Sequence, residues 1–173
     1  FPMKGTINAN IPDAAKKLLE DEKEKAEHIT IVDLIRNDLS IVSKNVTVKR
    51  FRYIEKIQTN YGDILQTSSE ICGQLPQNWQ EHIGDIFLSL LPAGSVTGAP
   101  KKKTVEIIKE AEIDSRGYYT GVCGYFDGHC LNSAVMIRFI EKRSDGLLYR
   151  SGGGITIYSD PYSEYKEMVD KVY

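Results

Sequence analysis

Three short turn signals separate runs of strand-forming sequence, and they leave antiparallel pairing as the natural way to fold this chain. Asn60-Tyr61-Gly62-Asp63 divides residues 45–59, which alternate through Val46, Val48, Phe51, Tyr53 and Ile57, from a second run at 64–74. Parallel strands need a crossover of a dozen or more residues, so a four-residue turn predicts a hairpin. Gly128 divides runs at 118–126 and 130–140, and Asp145-Gly146 divides the latter from 147–153. Helical patterns interrupt these hairpins. Pro12 and Asp13 open a helix expected over 12–39, broken near its middle, with Ala26, Ile29, Val32, Leu34 and Ile35 at helical spacing. Residues 79–91 predict a helix that turns Ile83, Ile86, Phe87 and Leu90 inward. The loop P-A-G-S-V-T-G-A-P leads to a helix at 100–111, where Pro100 suits a first turn that needs no amide hydrogen. A last helix is expected at 161–173, with Ser159 and Asp160 as candidate caps. The pattern predicts an α+β fold of layered antiparallel sheets with helices.

At 173 residues the chain has the length of one domain or a large piece of one. Phe1 is not a natural start, so a segment upstream is expected. A net charge of -2 gives no broad basic footprint and argues against a nucleic-acid partner. No apolar run approaches the roughly 20 residues of a membrane span. Cys72, Cys123 and Cys130 are odd in number and lack metal-ligand spacing, which points to reduced, mostly packed thiols in a cytoplasmic protein.

The polar motifs outline a chemistry. Glu24 and Glu27 lie three apart in one expected helix, and Glu164 and Glu167 lie three apart in another. Residues at that spacing share a helix face. If the pairs converge, their repulsion is relieved by a hard cation of the magnesium type, which prefers oxygen ligands. Taken singly, such a pair is far more often a solvated face. Gly152-Gly153-Gly154 follows an expected strand and lets a carboxylate approach backbone amides. It lacks the spacing of a dinucleotide fingerprint, and G-S-V-T-G-A-P-K lacks that of a P-loop. Arg138 stands in the apolar run V-M-I-R-F, where a guanidinium needs a partner, either an internal carboxylate or a ligand's. Tyr119 offers a hydroxyl, although tyrosine in a strand also serves as packing. Lys4, in P-M-K-G-T, is a nucleophile if its surroundings make it neutral, and otherwise a surface residue.

These blocks, with A-E-H-I-T-I-V-D-L-I-R-N-D-L, R-G-Y-Y-T-G-V-C-G-Y, Ile137-Arg138, S-G-G-G-I and E-Y-K-E, resemble the chorismate-utilising enzymes over nearly the whole chain. Lysine at position 4 is similar to the aminodeoxychorismate synthase component I branch, where related branches carry a small residue. The resemblance implies amination of chorismate to 4-amino-4-deoxychorismate through a covalent bond to Lys4. It implies Mg2+ held directly by Glu27 and Glu167 and through water by Glu24 and Glu164. It implies substrate contacts from Gly5, Thr6, Thr97, Tyr119, Arg138, the amides of Gly152 and Gly154, and Lys171. A glutamine amidotransferase subunit or domain is the implied partner. Gln66 stands where many relatives carry histidine. The implied general acid, a glutamate, lies upstream of Phe1, so the 173-residue chain alone is expected to bind magnesium weakly and turn over little. The chain is then a partial chorismate-binding domain over 1–173. The alternatives are anthranilate synthase component I and a non-catalytic ligand-binding or interaction fragment.

Overall fold

The computed structural model describes residues 1–60, 62–157 and 159–170. The chain divides into two units, Phe1–Val105 and Glu106–Tyr173.

In the first unit, the expected long hairpin forms where the turn residues place it. Strand β2 is Lys44–Ile57, strand β3 is Ile64–Gln74, and Ile57 faces Ile64 across the turn. A third strand, β1 (Met3–Asn8), pairs antiparallel with the other edge of β3. That leaves β3 in the middle, in the order β1-β3-β2. No alternation marks β1 in the sequence; its place is set by β3. Thr67, Ser68 and Ser69 of β3 are wholly buried. Buried hydroxyls need partners, and each has one. Thr67 Oγ1 donates to the Lys4 carbonyl, Ser68 Oγ donates to Glu55, and Ser69 Oγ accepts from the Arg52 amide at 2.9 Å.

The expected helix over 12–39 is two helices, α1 (Ala14–Glu20) and α2 (Glu22–Val42). The break is at Asp21, whose extended backbone and side chain cap α2 by accepting from the Glu24 amide at 2.9 Å. Both helices pack on β1 and β3. The buried apolar side chains Ala14, Leu18, Val32 and Ile71 come from α1, α2 and β3. The inward stripe of α2 differs from the apolar one expected. Ala26 and Ile29 are exposed, while His28 and Val32 are buried and Glu24, Glu27, Ile35 and Asp38 are half-buried. Polar residues thus occupy much of the face turned toward the sheet.

A 3-10 turn, Trp79–His82, leads into α3 (Ile83–Leu90), where Ile83, Ile86, Phe87 and Leu90 are the half-buried face, as their spacing requires. The following loop holds a single turn, α4 (Gly94–Thr97), before α5 (Lys101–Ala111). Asp38 ties this loop to α2. One carboxylate oxygen accepts from the Gly94 amide at 2.6 Å, and the other pairs with Lys101 Nζ at 2.7 Å. A Cβ at 94 would come within 2.9 Å of the Asp38 carboxylate and push it from its place. Asp38→Ala leaves the Gly94 amide without its acceptor and takes the carboxylate from Lys101 Nζ, which keeps the Leu90 carbonyl at 3.2 Å. A loss of about 1–3 kcal/mol in a urea titration is expected, with Asp38→Asn losing less because it keeps an acceptor for Gly94.

In the second unit, β4 (Val122–Phe126) pairs antiparallel with β5 (Leu131–Val135), and β6 (Phe139–Arg143) with β7 (Gly146–Arg150). Both turns fall at the expected residues. The run expected as one strand at 130–140 is divided between two sheets by a bend at 136–138. The expected strands at 118–126 and 147–153 are shorter: residues 118–121 form a turn, with Gly121 donating to the Tyr118 carbonyl at 3.0 Å, and β7 stops at Arg150. Helix α6 is Pro161–Asp170, and the Asp160 carboxylate accepts from the Ser163 amide at 2.9 Å as its cap. The last expected helical residues, 171–173, lie outside the described residues. All three cysteines are free; Cys72 is half-buried, whereas Cys123 and Cys130 are exposed rather than packed. Among the described residues no helix is long and apolar enough to cross a membrane.

Candidate active site

The centre of the candidate site is a β-bulge. Met3 faces Ser68 and Thr6 faces Gln66, so three steps along β1 match two along β3. The extra residue falls at Lys4-Gly5, and Gly5 takes it up with a φ of +94°, a conformation that side chains with a Cβ rarely adopt. Space enforces the choice as well. A Cβ at Gly5 would lie 3.1 Å from both Glu24 Oε2 and Thr67 Oγ1 and 3.3 Å from Leu18 Cδ1.

The bulge brings Lys4 against α2. Its Nζ lies 2.6 Å from Glu27 Oε2, and both side chains are about one-third exposed, at 35% and 33%. Lys23 adds a looser contact to the other Glu27 oxygen at 4.0 Å. Glu24, one turn earlier on the same face, places its Oε2 in a buried position with no hydrogen-bond partner. The structure therefore brings Lys4, Gly5, Glu24 and Glu27 together. Thr6 is exposed on β1, opposite the half-buried Gln66. Thr97 is buried in α4, its hydroxyl donating to the Gly98 carbonyl at 3.1 Å.

Beneath Lys4 lies a residue that the sequence does not single out. His28 is wholly buried, edge-on to the ring of Phe51 with centroids 5.8 Å apart. Its Nδ1 is 3.2 Å from the Lys4 carbonyl, and its Nε2 is 2.7 Å from Ser69 Oγ. A carbonyl only accepts, which assigns the proton to Nδ1 and leaves Nε2 to accept from the Ser69 hydroxyl. Burial lowers the His28 pKa, the bond to Lys4 opposes that shift, and the charge of Arg52 adds to it. Lys4, Glu24 and Glu27 are the other charged groups about it. The unfolded chain thus takes up this proton at a higher pH than the folded chain. The stabilising contribution of neutral His28 is complete above about pH 6.5 and is lost as the pH falls from there through the lowered folded value. Urea midpoints measured on either side of that window are expected to fall on acidification, and to fall less in His28→Asn.

In the second unit, Tyr119 meets the glycine run. Its hydroxyl occupies the space that a Gly152 Cβ would need. Desolvation by burial raises the Tyr119 pKa, with the Arg116 charge opposing, so the hydroxyl stays a neutral donor. Arg116, another residue without a sequence signal, stacks over the Tyr119 ring with its guanidinium carbon 5.6 Å from the centroid. It makes a two-point pair with Glu112 at 2.7 and 2.5 Å. Glu164 Oε1 accepts from Ser159 Oγ at 2.7 Å, and a Cβ at Gly153 would lie 3.3 Å from its Oε2. The Ser151 hydroxyl is buried and unpartnered. Glu167 and Gly154 are exposed. Arg138 is not inside an apolar strand: it is exposed at the bend between β5 and β6. Lys171 lies outside the described residues. Glu24 and Glu27 belong to the first unit, Glu164 and Glu167 to the second. Among the described residues no three His, Cys, Asp or Glu side chains gather as a metal site.

A family model for chorismate binding enzymes matches residues 1–173. The chain belongs to the chorismate binding enzyme family. An uncharacterized PabA-like protein of Haemophilus influenzae is 60% identical over 173 residues, covering all of this chain and 53% of its own length. The chain thus spans about half the length of that relative. Aminodeoxychorismate synthase component 1 of Bacillus subtilis is 39% identical over 173 residues, covering 98% of this chain and 36% of its own length. The crystal structure of anthranilate synthase component I from Streptococcus pneumoniae superposes with a TM-score of 0.75 at 34% identity, over 92% of this chain and 36% of that one. The α+β architecture of antiparallel sheets with helices is therefore the chorismate-binding fold.

Proposed function

We propose that this chain is part of a magnesium-dependent enzyme that aminates chorismate to 4-amino-4-deoxychorismate, toward p-aminobenzoate and folate, through a covalent bond to Lys4. The observation that carries this reading is the placement of Lys4: a solvent-reachable amine on a bulge, held 2.6 Å from a carboxylate. The carboxylate holds the amine in place as an ammonium, and it can take up the proton that Lys4 must lose to become a nucleophile. The neutral amine bonds to C2 of the ring while the C4–O bond breaks, and the departing hydroxyl takes up a proton and leaves as water. Ammonia then bonds to C4 and loses a proton, the C2–N bond breaks, and Lys4 is released. Two displacements put nitrogen where oxygen stood, while the enzyme holds the ring between them.

In this reading Glu24, Glu27, Glu164 and Glu167 would be the oxygen donors for the magnesium ion, and the buried Glu24 Oε2 has no hydrogen-bond partner among the described residues. When bound, magnesium supplies Lewis-acid polarisation of the ring carboxylate. In this reading the Tyr119 hydroxyl, Arg138 and the amides of Gly152 and Gly154 hold the enolpyruvyl carboxylate. Gly5, Thr6 and Thr97 line the ring, and Lys171 neutralises its carboxylate. A glutamine amidotransferase subunit or domain supplies ammonia in the cytoplasm.

A second reading is synthesis of anthranilate, favoured by the 34% identity to a solved anthranilate synthase component I. Product analysis separates the two. The full-length protein is incubated with chorismate, ammonium and Mg2+, and the products are resolved by liquid chromatography and mass spectrometry. An amino product that keeps its enolpyruvyl group is expected. Anthranilate with released pyruvate would replace the proposal by the second reading, and no chorismate-derived product would remove both.

A further inference from the structure

We propose that His28 is a positioning residue for Lys4, fixing the backbone of the lysine while Glu27 holds its amine. The inference rests on the role of Lys4 given above and adds a residue to it. Glu27 and His28 are consecutive on α2, yet they grip opposite ends of the same residue. The Lys4 carbonyl receives two hydrogen bonds, one from Thr67 Oγ1 and one from His28 Nδ1. Those two donors hold the bulge at the residue where the strand register slips.

The hold extends across the sheet. His28 Nε2 accepts from Ser69 Oγ, and Ser69 Oγ accepts from the Arg52 amide. Lys4 of β1, His28 of α2, Ser69 of β3 and Arg52 of β2 thus form one connected line. Arg52 lies where β2 slips its own register, at a φ of +44°, and its guanidinium donates to the Leu18 and Leu19 carbonyls at 3.1 Å each. The two outer strands are irregular, and the line through His28 joins their irregular points. An apolar side chain of similar size would fill the space without supplying either bond. The imidazole supplies a donor at one nitrogen and an acceptor at the other; the Lys4 carbonyl selects which is which, and the Ser69 hydroxyl complements it.

This assignment makes the two amide substitutions unequal. Asparagine places its amide nitrogen at the same bond count as Nδ1, so His28→Asn keeps a donor for the Lys4 carbonyl. Glutamine reaches the Nε2 position and leaves that carbonyl one donor short. In the full-length protein, kcat for chorismate amination is expected to stay within about threefold of the parent in His28→Asn, the size of a displacement well below 1 Å. It is expected to fall about 100-fold in His28→Gln, with KM little changed. Ser69→Ala removes the donor that holds Nε2 unprotonated, and a fall in kcat like that of His28→Gln is expected. Hydrogen exchange of the 1–8 segment provides a reading without substrate: His28→Gln and Ser69→Ala should accelerate it about tenfold, and His28→Asn should not. A purely space-filling role would make activity track melting temperature whichever nitrogen is kept. Equal kcat in the Asn and Gln variants, or equal exchange in both, overturns the proposal. If the parent protein fails to aminate chorismate, the proposed function fails, and the exchange contrast alone decides the role of His28.

Discussion

Lys4→Ala is expected to abolish amination of chorismate, lowering turnover by about 10^4-fold or more, the scale on which removal of a catalytic nucleophile acts. The loss should come without loss of the fold. Lys4 and Glu27 are each about one-third exposed, so their ion pair contributes at most about 1 kcal/mol to stability. The bulge itself is held by the Lys4 carbonyl, which alanine retains. Lys4→Arg is not expected to rescue turnover, because a guanidinium stays protonated and cannot attack. The measurements are steady-state turnover of the full-length protein with ammonia, a thermal melt, and mass spectrometry of the segment carrying Lys4 after quenching during turnover. An adduct on Lys4 in the parent, absent from the alanine variant, is the expected result. Turnover in Lys4→Ala within about tenfold of the parent would remove the covalent step.

Gly5→Ala is expected to cost both stability and activity. Its φ of +94° imposes backbone strain on any residue with a Cβ, about 1–2 kcal/mol. The added methyl would also press on Glu24 Oε2, Thr67 Oγ1 and Leu18 Cδ1, which sit in three separate elements and cannot all yield together. A total loss near 2–3 kcal/mol is expected in urea titration of the variant. Turnover should fall further than stability, since the displaced groups are the neighbours of Lys4, the proposed nucleophile. Gly84→Ala is the contrasting control. It lies in helix α3 with nothing within 4 Å of an added Cβ, so a gain of about 0.5–1 kcal/mol is expected. A Gly5→Ala protein as stable as its parent would mean that the bulge relaxes freely and that its geometry is not what aims Lys4.

Local chemistry alone determined a good part of this protein. The turns at 60–63, 128 and 145–146, the inward face of α3 and the cap at Asp160 are each decided by residues within a few positions, so their signals survive in the sequence. The run of motifs from P-M-K-G-T to E-Y-K-E likewise carried the family, which the match over residues 1–173 shows. What the tertiary structure decided is where those segments meet. The pairing of β1 with β3, and the bulge it creates at Lys4-Gly5, depend on residues 56 to 65 positions away. The inward face of α2 could not be read from apolar spacing, because it includes the buried His28 and the half-buried Glu24, Glu27 and Asp38, and His28, Glu27 and Asp38 are held there by partners far away in sequence. Arg138 reads as a strand residue until the strand divides at 136–138 between two sheets. A carboxylate or an imidazole in a helix looks the same in sequence whether it faces water or another side chain. Its partner is chosen by long-range packing, and that choice separates a solvated surface from a site.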